Sequence, residues 1–482
     1  MWLVMIGSLI GKTVLFSPGE ETAQAAISGV INETHRDWME IYLKDSKIGY
    51  SVTQVSPLGD DYLIQEEVLL RLNLMGQATD MRTFIRSIMD HDFVLKSFVI
   101  RIDSGVTTFQ ASGIVKKGRL CVEEGEGGRK KSHSINLSGP PVIGAGMTQF
   151  FRGRPLEVGK SFKFHLFDPS TMIQKEVVIE VGARETVVVG REKQDTFRLE
   201  TTMWGQDLIF WLDSEGRLQK ERGFMGFTLV RSNAEDAPLN LKGGGQADFY
   251  SLAAIDIKPG LRDTHRLTYV RLKVSGLDET DFDAGLLNRG RQRFQSGILE
   301  IYQEKGPVVA TDLIPYPELS VKMKPYLAPE LNIESDDRAI KESAREIAGN
   351  HKDPVELAKR LMEWVYKNVK KRPVIGIPSA LEVLRTRVGD CNEHAFLLTA
   401  LLRAAGIPAR VCTGLVAVEN RFLYHAWTEG FFGGWISMDA TLNQMPADAT
   451  HIKLVHGGLD RQVKIIGLIG RLKLEIIDYR YE

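Results

Sequence analysis

A cysteine, a histidine and an aspartate near the C-terminal end of the chain have the residue types and surroundings for nucleophilic chemistry at a carbonyl. Cys391 follows Gly389 and Asp390 and opens a periodic run in which Ala395, Leu398, Leu401, Leu402 and Ala405 form one apolar stripe. Gly406 supplies a stop and Pro408 forbids continuation. The spacing predicts a helix that begins at Cys391, where unpaired backbone N–H groups and the helix dipole favour a thiolate. A helix end is worth only about 0.3–1 kcal/mol, and a free thiol of pKa ~8.5 is a few per cent ionised at neutral pH. A cationic partner is therefore needed. His425, in the run FLYHAW, is the candidate base, and Asp439, in WISMDAT, is the candidate carboxylate to orient its imidazole.

Elements must bring these three together. Leu423, His425, Trp427 and Glu429 share a face of one strand by alternation, and Trp435, Ser437 and Asp439 share a face of the next. A two-residue turn at Gly433-Gly434 would send His425 and Asp439 to opposite faces. A loop with an odd residue count, Gly430 to Gly434, puts His425 directly opposite Asp439, and that register is the expectation. Upstream, Pro354 to Lys370 reads as a scaffold helix with Leu357, Leu361, Trp364, Val365 and Val369 on one face. Asp353 is its cap, Pro354 its first residue, and Glu356 completes a capping box.

Together, GDC before a helix, then GIPARV, HAW and W-x-x-x-D-A-T resemble the transglutaminase-like superfamily, whose core relates to papain-like cysteine proteases. The resemblance runs from about Ile333 to the C-terminus, with ADATHIKLVHG and RLKLEIIDYRY as closing strands. The order nucleophile, histidine, acid matches at Cys391, His425 and Asp439. It implies that a thiolate attacks a carboxamide or peptide carbonyl, that ammonia or an amine leaves, and that the thioester passes to water or to an amine. Such sites hold the oxyanion with two N–H donors. The Cys391 backbone amide is one by position; the sequence does not identify the second.

Other residues have plainer readings. His394, three residues after Cys391, has no obvious acid to orient it. Cys412 reads as core, and Cys121 as a structural residue of the β-rich region. Trp427 lines the cleft or packs in the core. Glu429 reads as catalytic support or, by preference, as a solvated strand residue, and Arg410 as a salt-bridge residue, at the surface or buried.

The rest of the chain is β-rich. From Trp38 to about Ser232, alternation such as Ile48, Tyr50, Val52 marks many short strands. Val177 to Val181, Val187 to Val189, Phe197 to Met203 and Leu208 to Leu212 are separated by turn-forming residues. The succession of strands without helices predicts a strongly curved antiparallel sheet, which weakly resembles those of bacterial lipoprotein-carrier-like domains. Glu123 to Lys131, charged and Gly-rich, reads as a hairpin tip, and Leu241 to Gly245 as a linker before further strands at Leu267 to Leu277 and Gly297 to Tyr302. The expected layout is an apolar stub and tether over 1–35, an antiparallel β domain over 36–240, a small β domain over 246–325, and an α+β papain-like domain over 330–482.

At roughly 150 residues per domain, 482 residues suit about three domains. With 61 Lys and Arg against 62 Asp and Glu, no global field exists to attract nucleic acid or an anionic membrane. Three scattered cysteines make no disulfide framework, and no Cys/His cluster has zinc spacing, so neither metal nor cofactor is expected. MWLVMIGSLIG stops at Lys12, short of the ~20 apolar residues of a membrane-spanning helix. It reads either as the stub of a signal or anchor segment or as a plain N-terminal strand or helix. The first alternative implies an extracytoplasmic protein, periplasmic or membrane-associated. The expected activity is thiol-dependent hydrolysis of an amide in a protein, peptide or peptidoglycan. Crosslinking through transamidation, or a binding module that keeps the fold without turnover, stand as alternatives.

Overall fold

The computed structural model describes residues 31–482 apart from 75–76, 106, 126–130, 204–205, 242–252, 259, 278–283, 307–320 and 375–378. The apolar N-terminal run, most of the Glu123 to Lys131 tip and the Gly-rich linker therefore lie outside the described residues. The chain divides into two compact units, Trp2–Phe249 and Tyr250–Glu482. No described helix is long and apolar enough to cross a membrane.

The N-terminal unit is built on one fifteen-stranded sheet. Two meanders of neighbouring hairpins meet where the first strand, His35–Leu43, pairs antiparallel with the last, Phe227–Ser232. The alternating burial of strands such as Leu95–Asp103 is what a sheet with one wet face requires. Strong curvature follows from contacts between distant strands: the rings of Phe98 and Phe167 pack 5.6 Å apart although several strands separate them in the sheet. Val177 to Val181 and Val187 to Val189 turn out to belong to one strand, Ile173–Val189, rather than two. Its register shifts between Val181 and Arg184. Gly182 permits this bulge, since an added Cβ would lie 3.0 Å from the Arg198 carbonyl oxygen. Cys121 lies exposed on the strand Arg119–Glu124 and packs no core.

Among the described residues, the C-terminal unit has two larger sheets, a two-stranded pairing of Lys370–Lys371 with Val388–Gly389, and four main helices. Leu267–Ser275, Gln292–Gln295 and Ile298–Tyr302 do not make a separate β domain over 246–325, because the C-terminal strand Lys473–Tyr481 pairs along Leu267–Ser275 and completes their sheet. The other sheet carries the chemistry: Ala409–Val418 lies between Arg421–Phe431 and Ile452–His456, and Trp435–Met438 continues from Arg421–Phe431 as a hairpin. The helix Pro354–Asn368 forms as its pattern demands, with Leu357, Leu361 and Val365 buried and Val369 just past its end. Asp353 accepts from the Val355 and Glu356 N–H groups, yet the capping box stays half-made. The Glu356 carboxylate pairs instead with Lys359, one turn on, at 3.0 Å.

Candidate active site

The helix Cys391–Ala404 begins at the cysteine, as the spacing requires, and is buried on nearly all sides. Its start is fixed by a complete capping box: Asp390 accepts from the Asn392 N–H, and Glu393 reaches back to the Asp390 N–H at 2.9 Å. Gly389 must be small, because a Cβ there would meet Glu393 Cβ at 2.2 Å. At the far end Gly406 takes φ +84°, a conformation that favours glycine, and ends the helix.

The hairpin that carries the other two residues departs from the expected register in a specific way. Pairing of Glu429 with Ser437 and Phe431 with Trp435 leaves a loop of Phe432, Gly433 and Gly434, with Gly433 at φ +81°. The residue count is odd, so His425 and Asp439 keep one face. The ladder is nevertheless two residues away from direct opposition, and it ends at Thr428 and Met438. Beyond Met438 the chain leaves the strand. Asp439 forms an isolated bridge with Gln444, and its Oδ1 accepts from the Thr441 and Leu442 N–H groups at 2.7 and 3.0 Å. That turn directs Oδ2 to the imidazole: His425 Nε2 lies 2.6 Å from Asp439 Oδ2.

The Cys391 side chain hydrogen-bonds with His425, and the Ala426 backbone N–H points at the sulfur. With Nε2 committed to Asp439, Nδ1 is the ring nitrogen left for the thiol. Thiol, imidazole and carboxylate thus form one line, at the helix start and across the strand pair.

The electrostatics refine the expectation of a thiolate favoured by the helix end. Burial pushes the Cys391 thiol up and the neighbouring Asp390 carboxylate adds to this, while the His425 charge, its hydrogen bond and the Ala426 N–H pull it down. The thiol remains above its ordinary value. Burial also opposes charge on His425, but Asp439 and the Cys391 sulfur outweigh it and raise the ring to about 10. Burial alone would neutralise Asp439, yet His425 and His451 hold it well below the usual carboxylate range. In the pair the imidazole is therefore the firm holder of a proton, and the helix terminus is the smaller influence.

His394 is fully buried, donates from Nδ1 to the Asp390 carbonyl at 2.6 Å, and is lowered by burial, which makes it core rather than a base for Cys391. Trp427 is buried, its ring against those of His425 and His451. Cys412 is core. Glu429 is not solvated, because two cations are buried with it. Arg410 Nε lies 2.7 Å and Lys453 Nζ 2.5 Å from its carboxylate oxygens, and after the cost of burial these charges bring it to about 2. Arg410 is correspondingly a buried salt-bridge residue, with its guanidinium 3.9 Å from the Trp435 ring centroid.

Two residues of this network escape a search for a single triad. His451 Nε2 lies 3.0 Å from Asp439 Oδ2, and its Nδ1 lies 3.2 Å from Asp448 Oδ1. A signal existed, since Asp-Ala-Thr occurs at 439–441 and again at 448–450. Both aspartates accept from the N–H two residues on, a local turn that presents a carboxylate. His425, Asp439 and His451 each offer one atom within 4.8 Å of the others, as metal ligands could. Ligands around a tetrahedral metal with bonds of about 2.0–2.1 Å lie about 3.3 Å apart. Separations of 2.6 and 3.0 Å are instead those of charge-assisted hydrogen bonds.

A half-buried thiol beside a buried imidazole and a buried carboxylate has the groups that thiol-dependent catalysis uses. Residues 341–440 match the transglutaminase-like superfamily core, so the C-terminal region of this chain carries a transglutaminase-like domain. That match supports thiol-dependent catalysis in general. An uncharacterized protein from Haemophilus influenzae is 32% identical over 123 residues, which span 24% of this chain and 32% of that relative. The chain thus covers about a third of the relative's length. A cysteine protease candidate from Cytophaga hutchinsonii aligns with 48% of this chain and 86% of its own at 18% identity and TM-score 0.30. A β-barrel-like protein from Brucella abortus aligns with 42% and 95% at 13% identity and TM-score 0.31. Scores this low leave the functional reading on the family match and the geometry.

Proposed function

We propose that the C-terminal unit cleaves an amide or peptide bond by thiol chemistry, with Cys391 as nucleophile, His425 as proton carrier and Asp439 as its orienting carboxylate. The observation that carries this is the line from the thiol at a helix start through His425 to Asp439, closed by the 2.6 Å Nε2–Oδ2 contact. The Cys391 thiol first passes its proton to the neutral His425 ring, the thiolate attacks the carbonyl carbon, and the resulting imidazolium gives that proton to the departing ammonia or amine. A thioester remains on Cys391. Water then loses a proton to His425 and attacks the thioester, a carboxylic acid leaves, and the thiol is restored. Asp439 fixes the ring's orientation and compensates its charge throughout.

Hydrolysis is favoured over transfer to an amine, and the substrate is a protein, peptide or peptidoglycan amide. The test is incubation of a Gln-containing peptide with the full chain, with and without a primary amine, followed by mass. A gain of one acyl group on Cys391 and release of the acid support hydrolysis. An amine adduct would replace it by transamidation. Iodoacetamide labelling at neutral pH should be slower by roughly 10- to 100-fold at Cys391 in His425→Ala than in wild type, since the imidazolium favours the thiolate. Equal, slow labelling would make the domain a scaffold. An extracytoplasmic location belongs to the same proposal and rests on the apolar run MWLVMIGSLIG. Unchanged membrane association of a chain lacking residues 1–34 would remove the anchor reading.

A further inference from the structure

Behind Asp439 lies a second imidazole that a three-residue site does not require. The His451 ring is fully buried between two carboxylates, with Nε2 3.0 Å from Asp439 Oδ2 and Nδ1 3.2 Å from Asp448 Oδ1. A neutral imidazole has a single N–H, so only the imidazolium donates to both. Asp439 Oδ2 then accepts from two rings, at 2.6 Å from His425 and 3.0 Å from His451. Asp448 is held in turn by the Thr450 N–H and hydroxyl on Oδ1 and by Gln444 on Oδ2. Arg291 fixes the segment from outside, donating to the carbonyls of Ala447 at 2.6 Å and His451 at 2.8 Å.

The titratable groups facing the His451 ring are Asp439, Asp448 and His425, whose ring centroid is 5.8 Å away. Trp427 covers another side, 5.3 Å away edge to face, and His394, on the Cys391 helix, also feels the Asp439 charge. We infer that His451, bridged to Asp448, is a positioning residue for the thiol chemistry: it anchors the Asp439 carboxylate and takes a share of its charge. This rests on the reading of Cys391, His425 and Asp439 given above. The consequence concerns proton release. A carboxylate facing one imidazolium alone would grip its proton too firmly, whereas a second cation on the same oxygen loosens it toward the leaving amine. The direction agrees with His451 being raised by its two carboxylate bonds against the effect of burial.

The test uses the full chain and two readouts: titration of the His425 ring by NMR, and the pH dependence of Cys391 alkylation by iodoacetamide, read by mass. His451→Gln keeps an N–H for Asp439 but removes the cation. It should move the His425 titration upward by about one pH unit. His451→Ala also leaves the Asp439 carboxylate free to turn, so that His425 loses its orientation toward the sulfur and the alkylation rate at neutral pH should fall about tenfold. Asp448→Asn, which preserves shape, should lower the affinity of His451 for its second proton and shift His425 upward in the same direction; it stands in if His451→Gln does not fold. His425 unmoved in the folded variants, with only the melting temperature changed, would overturn the inference and leave His451 a structural residue. Failure of the triad itself looks different: His425→Ala would then leave Cys391 alkylation unchanged, while the His425 titration would still respond to His451→Gln.

Discussion

Asp439 in the C-terminal unit and Glu221 in the N-terminal unit are equally removed from water, yet the first is held toward its ionised form and the second is pushed toward its neutral one. Glu221 is raised to about 8, by burial first and then by the nearby Glu66, and its Oε1 has no hydrogen-bond partner among the described residues. Asp439 has four N–H groups on its two oxygens, two of them from imidazoles, and stays ionised. Burial therefore does not set the charge of a carboxyl group; the donors buried with it do. The contrast also separates roles. A lone buried acid burdens the sheet around it, while a fully bonded one can hold a proton carrier in place.

The sharpest way to break this comparison is Asp439→Ala, which buries two imidazole rings 5.8 Å apart with no carboxylate between them. Removing one side of a buried charged cluster costs about 3–5 kcal/mol, so we expect that loss in chemical denaturation of the C-terminal unit. Cys391 alkylation should fall with it, since His425 loses both orientation and charge. A loss under 1 kcal/mol would mean that the cluster is neutral. Glu221→Gln should do the reverse. Below the ordinary value of 4.5 both folded and unfolded chains keep the Glu221 proton, but from there to about 8 only the folded chain does. Stability then falls with rising pH, by about 1.4 kcal/mol per unit. The glutamine variant lacks that slope and should gain several kcal/mol over wild type at pH 8, and little at pH 4.5. Hydrogen exchange in the strands beside Glu221 reads the difference; a gain equal at both pH values would contradict it.

The same logic fixes the pH response of the site. Cys391 chemistry should climb tenfold per pH unit while the raised thiol ionises, then lose turnover above about 10, where His425 gives up its proton. A rate–pH profile with an optimum on the acid side of neutral would show that the pair holds its protons differently.

How much of this was legible in the sequence follows the range of the interactions. The helix start at Cys391 was, because a stripe, a stop glycine and a proline are local signals. The shared face of His425 and Asp439 was too, because strand parity needs only alternation and an odd loop. The two-residue offset was not, since Asp439 reaches His425 from a turn beyond the ladder rather than from across it. Nor was the pairing of Leu267–Ser275 with Lys473–Tyr481, which depends on the chain returning after some two hundred residues. Glu429 was misread for a related reason. A charged residue on a strand looks solvated until Arg410 and Lys453, from two other strands, are known to be buried with it.

A third carboxylate completes the comparison with a partner but little burial. In the N-terminal unit Asp80 meets Arg71 across neighbouring strands by two parallel contacts, Nε to Oδ1 at 2.7 Å and Nη2 to Oδ2 at 2.8 Å. The pair is bidentate, and Arg71 holds the Asp80 carboxyl below its ordinary value. Both side chains are about one-third exposed, however, at 35% and 37%. Water already solvates such charges, salt screens them, and ordering two long side chains costs entropy, so exposed pairs contribute about 0.2–1 kcal/mol. A double-mutant cycle of Arg71→Ala and Asp80→Ala should return a coupling in that range, and it should shrink when ionic strength is raised to about 1 M. A coupling of several kcal/mol would mean that pairing alone, without burial, decides the energy of a carboxylate in this protein. The difference between Asp439 and Glu221 would then have to be sought in something other than their shared removal from solvent.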